Sequence, residues 1–94
     1  MDDYQLLEAL RSMGMACFVK YYVYFIDPSF LIDEIVQIME DNGETWSTKP
    51  SRVSNGKRIF NAGRHKDALT MVVNSSKTDY EVRVDAKRLL QMEL

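Results

Sequence analysis

Cysteine and histidine each occur once in this 94-residue chain, as Cys17 and His65. A single cysteine excludes an internal disulfide framework, and the pair falls short of any structural zinc ligand set. Long apolar runs are missing too. The most hydrophobic stretch, Met15 to Ile26, spans 12 residues and is interrupted by Lys20, whereas a membrane-spanning helix needs about 20. The first 14 residues contain acids and no continuous apolar segment of the secretory kind. These absences predict a cytoplasmic protein with no membrane segment, no metal and no cofactor. Neither a nucleophile–base pair nor a phosphate loop is present, so no catalytic residue is assigned and an enzyme is not expected. What remains is ordinary for a small globular chain: 46% apolar and 28% charged residues, enough to build one domain over residues 1–94.

Carboxylates are also missing from one stretch. Between Thr48 and Lys66 the chain carries Lys49, Arg52, Lys57, Arg58, Arg64 and Lys66 and no acid. Residues 1–45 oppose nine acids to Arg11 and Lys20, a net of −7, and residues 67–94 net −1, within a total of −2. Segregation of this kind gives the surface a sign and points to a polyanionic partner.

Hydrophobic periodicity predicts an all-α fold, a compact bundle of about five short helices. Asp2 or Asp3 caps a helix from Tyr4 to about Met13, ended by Gly14. The aromatic run Ala16–Ile26 reads as one helix at the core centre, although its composition also suits a strand. Asp27-Pro28-Ser29 breaks the chain and caps a helix over 30–42. Its inward stripe is Ile32, Ile35, Val36 and Met39, and Asn42-Gly43 stops it. Thr48 caps the basic helix, with Pro50 in the first turn. Val53, Gly56, Ile59 and Phe60 face inward, with Gly56 marking a close approach and Arg52 at the boundary. A further helix over 64–74 buries Ala68, Leu69, Val72 and Val73. Thr78-Asp79-Tyr80-Glu81 reads as a capping box opening the last helix. The alternative there is an α+β fold, with 69–84 forming a hairpin.

An amphipathic helix, a turn and a capped helix with a basic outer face make residues 30–62 resemble a helix-turn-helix DNA-binding domain. That resemblance implies a second helix lying in the major groove. Arg58 and Lys57 would meet guanine acceptors or phosphates, Asn55 and Asn61 would pair with adenine, and Ser51 and Ser54 would hold phosphates. Lys49, Arg52, Arg64 and Lys66 complete the candidate nucleic-acid-binding set. Two features depart from the pattern: the connector is longer than three or four residues and carries Trp46, and the first helix is acidic.

The competing expectation is a protein-interaction module or homodimer. It would set the basic helix against an acidic protein, or use exposed tyrosines, because the hydroxyls of Tyr21, Tyr22 and Tyr24 cannot all be buried unpaired. The remaining reactive types read as structural. Cys17 is a small core residue, His65 an exposed residue at a helix start, and Trp46 a plug between helices. Asp33/Glu34 and Glu40/Asp41 are a solvated face.

Overall fold

The computed structural model describes residues 1–94 and contains seven helices and no strand. They are α1 (Asp3–Met13), α2 (Met15–Lys20), α3 (Tyr22–Ile26), α4 (Ile32–Asp41), α5 (Lys49–Asn61), α6 (His65–Val73) and α7 (Tyr80–Gln91). Residues 69–84 belong to α6, α7 and the turn between them, so the all-α reading holds and the hairpin does not form. Helix α5 packs against α1, α3 and α4, while α6 and α7 pack on each other and close the bundle against α1 and α2.

Local chemistry accounts for most of these boundaries. Asp2 accepts from the Gln5 backbone N–H at 2.8 Å and Gln5 returns the bond at 3.0 Å, satisfying two orphan donors of α1. Gly14 ends that helix at φ 87°, a left-handed conformation that disfavours any side chain. A Cβ there would also stand 3.1 Å from the Arg52 guanidinium.

The aromatic run differs from the single helix expected. It breaks at Tyr21, whose φ of −107° and ψ of 14° separate α2 from α3. Both flanks of the break are fully used. Phe18, Tyr21, Tyr22 and Phe25 are all buried, and each tyrosine hydroxyl has its own partner. Tyr21 donates to Glu44 at 2.7 Å and Tyr22 donates to the Leu94 carbonyl at 2.9 Å. Burying these rings without orphaning their hydroxyls takes precedence over helix continuity in a run of low helix propensity.

Three predicted caps are replaced by other bonds. Ser29 folds back on Asp27, its N–H and hydroxyl both donating to that carboxylate, and α4 starts at Ile32 with the Leu31 N–H held by Glu34. Ile32 consequently lies outside the buried stripe at 41% exposure, leaving Ile35 and Met39 as its buried members. The Thr48 hydroxyl accepts from Arg52 instead of capping α5. Thr78 bonds Ser75 and the Met15 sulfur, so no capping box opens α7.

Helix α5 turns Val53, Gly56 and Ile59 into the core and half-buries Phe60. Gly56 is the predicted close approach: three carbons of the Phe25 ring lie 2.9 Å from where its Cβ would be. That contact seats α3 on α5. No helix is long and apolar enough to cross a membrane.

The candidate site on helix α5

Ten residues were expected to form a nucleic-acid-binding face, and the fold divides them. Ser51, Ser54, Arg58 and Asn61 are exposed along the outer side of α5, following the three-to-four-residue spacing of a helix face. Asn55 is half-buried beside them and accepts from Arg58 at 3.2 Å. Lys49 is half-buried at the start of α5, and Lys66 is exposed on α6; neither has an acidic partner.

The other three cations reach back into the N-terminal half of the chain. The Arg52 guanidinium stacks on Trp46, 4.2 Å from the ring centroid, and donates to the Met13 carbonyl at the end of α1. Lys57 donates to the Asp27 carbonyl at 3.0 Å, where α3 ends. Arg64 donates to the Met1 carbonyl at 2.8 Å and pairs with Asp3 and Asp67. Those two carboxylates, Asp3 first, hold the Arg64 pKa above its ordinary value.

The pattern has a common physical cause. The last carbonyls of a helix lack intrahelical donors and carry the negative end of the helix dipole, so a cation is favourable there. Arg52 and Lys57 supply that charge to the ends of α1 and α3, and Arg64 fastens the start of α1 to α6. Half of the basic stretch is therefore intramolecular wiring. Asp27 itself is held below the usual carboxylate range by the two Ser29 bonds, with Lys57 adding to the effect.

Around this face the acids of α4, Asp33, Glu34, Glu40 and Asp41, are exposed as a solvated surface. None pairs with α5. Trp46 is half-buried and packs on the core as well as on Arg52. The predicted exposed tyrosine surface is not built from the aromatic run. Tyr21 and Tyr22 are buried and Tyr24 is half-buried against Phe30, while Tyr4 and Tyr80 are the tyrosines that reach solvent.

His65 also departs from its expected exposure. Its ring lies flat on Phe60, with centroids 4.7 Å apart, and it stands 6.5 Å from Tyr22. Burial, then Lys66, pushes its pKa below the ordinary value, and its Nδ1 has no partner. Cys17 is 1% exposed and burial raises its thiol to about 11, so it is chemically quiet. No three metal-ligating side chains of the His, Cys, Asp and Glu types come together. Comparison with protein families, with curated proteins and with solved structures finds no match.

Proposed function

We propose that this chain is a non-enzymatic binding protein whose outer α5 face docks an acidic surface of a partner protein. The observation that carries the reading is the division of the basic stretch. The face left to solvent consists of hydroxyls, amides and Arg58, with no carboxylate on the helix, while Arg52, Lys57 and Arg64 are engaged internally. A duplex is a demanding ligand for so few cations. Each phosphate neutralised contributes about −0.9 to the salt slope, so Lys49, Arg58 and Lys66 together give a slope of only about −3. A folded protein surface needs no such lattice of contacts, and arginine is among the side chains enriched at protein interfaces, where Arg58 can pair with a carboxylate of the partner.

Duplex DNA is the second reading, favoured by one observation: Ser51, Ser54, Arg58 and Asn61 follow one face of a helix that starts shortly after α4. A photo-crosslinking residue at Asn61, with and without Arg58→Glu, separates the two. An acidic partner gives a discrete protein adduct that Arg58→Glu abolishes, while Trp46 fluorescence stays unchanged on addition of random duplex. A salt-sensitive Trp46 response to duplex at micromolar affinity, with no protein adduct, overturns the first reading in favour of the second.

A further inference from the structure

On another side of the molecule, α1, α2, α6 and α7 surround an open cleft of about 720 Å³. Its apolar floor is set by Leu7, Met15, Met71 and Val82, all half-buried. The volume falls within the range of small-molecule sites, which combine an apolar lining with a few convergent polar groups. Two cations supply the polar side. Arg11 and Lys77 both line the cleft, and neither has a carboxylate within ion-pair distance. Neither head group donates a hydrogen bond inside the fold, which sets them apart from Arg52, Lys57 and Arg64, whose head groups are all held there.

Hydroxyls at the same wall are held in place. Thr78 bonds Ser75 at 2.8 Å and the Met15 sulfur at 3.2 Å, tying the α6–α7 turn to the start of α2. The one acid on the lining is Asp79, so the charged side chains of the cleft are two cations and one anion. The net surplus is positive and sits beside an apolar floor.

From this we infer that the cleft binds a small amphipathic anion: an aliphatic or aromatic body on the floor, with a carboxylate or phosphate group facing Arg11 and Lys77. An apolar body alone leaves the two cations unmatched, and a bare anion leaves the floor in water. Burying the body is favourable in proportion to the apolar surface removed from water, so a chain of several methylenes provides most of the affinity. The headgroup then fixes the orientation. The site lies apart from the outer face of α5 and shares no residue with it.

The test is a titration of the whole chain, labelled at its methionine methyl groups, with decanoate, nonyl phosphate (matched to it in apolar chain length), decanol and acetate in turn. Decanoate or nonyl phosphate should shift Met15 and Met71, which line the cleft, and leave Met39, buried on α4, in place. Whichever of the two binds more tightly identifies the headgroup. Decanol should bind several-fold more weakly, and acetate should produce no shift. Arg11→Ala and Lys77→Ala should each weaken binding by up to about fivefold, the size of an exposed charge contact. Both side chains are exposed and unpaired, so melting curves of these variants should overlay the parent. Equal binding of decanoate and decanol, unchanged affinity in the double variant, or absence of shifts at Met15 and Met71 would overturn the assignment.

Discussion

Arg52 was expected to face nucleic acid, and its geometry makes it a staple. Truncation to alanine removes three things at once: the stack on Trp46, the bond to the Thr48 hydroxyl and the donor to the Met13 carbonyl. A guanidinium stacked on tryptophan at a partly exposed site contributes about 0.5–1 kcal/mol. A hydrogen bond from a charged donor adds about 1.5–3 kcal/mol, partly because its loss orphans a helix-terminal carbonyl. The side chain is half-exposed, which favours the lower end, so Arg52→Ala should cost about 2 kcal/mol. For a domain of this length each kcal/mol moves the melting point by about 4–8 °C, giving a fall of about 8–16 °C. The assay is far-UV circular dichroism on heating, run beside Trp46 fluorescence, which loses its cation in the same variant. Arg52→Lys keeps the charge and loses the planar stack, so it should recover only part of the loss. If Arg52→Ala melts with the parent, the side chain is a surface cation and the staple argument is wrong.

Gly56→Ala sets a gain of about 1 kcal/mol in helix propensity against overpacking of about 1–3 kcal/mol on the Phe25 ring. Since that ring is buried and the new Cβ would lie 2.9 Å from it, a net loss of about 1 kcal/mol is expected in urea unfolding. A more stable variant would refute the close approach. His65 should make stability pH-dependent. Its folded pKa lies below the ordinary 6.5, so the unfolded chain binds the proton more readily. The contribution is complete above 6.5 and is lost as pH falls through the folded value. Stability should decline from neutral pH toward pH 5, and His65→Gln should flatten that part of the profile. Cys17 should react with a thiol reagent only when the bundle opens, so its labelling rate should rise in step with denaturant; fast labelling in native buffer would contradict its burial.

Where one strong local signal acted alone, the sequence was easy to read. The Asp2 cap, the Gly14 and Gly43 stops, the proline in the first turn of α5 and its inward Val53–Gly56–Ile59 arc each follow from a short pattern with a direct steric or hydrogen-bonding cause. Signals that depend on distant partners were not legible. Nothing near Tyr21 announces a helix break or the partner of its hydroxyl, Glu44, which lies past the far end of α4. Thr78 has the spacing of a capping box, but a partner 63 residues away, Met15, takes its hydroxyl. His65 follows the same rule: flanking charges suggest exposure, while Phe60, on the preceding helix, provides a flat face that half-buries it.

Charge segregation carries the same lesson to the site. An acid-rich first half and a basic middle suggest a polyanion from outside, yet the first half already contains electron-rich groups that the fold must satisfy. The ends of α1 and α3 present carbonyls without intrahelical donors, and the start of α1 presents the Met1 carbonyl and the Asp3 carboxylate. Long basic side chains on α5 and just beyond it can reach all three places, and Arg52, Lys57 and Arg64 do so. A sequence count gives each cation equal weight, whereas the fold separates charges that complete the bundle from charges left unmatched. The unmatched ones are the better guide to partners. On α5 that leaves Lys49 at its start and Arg58 among serines and asparagines; beside the α1–α2–α6–α7 cleft it leaves Arg11 and Lys77, two cations outside the basic stretch altogether.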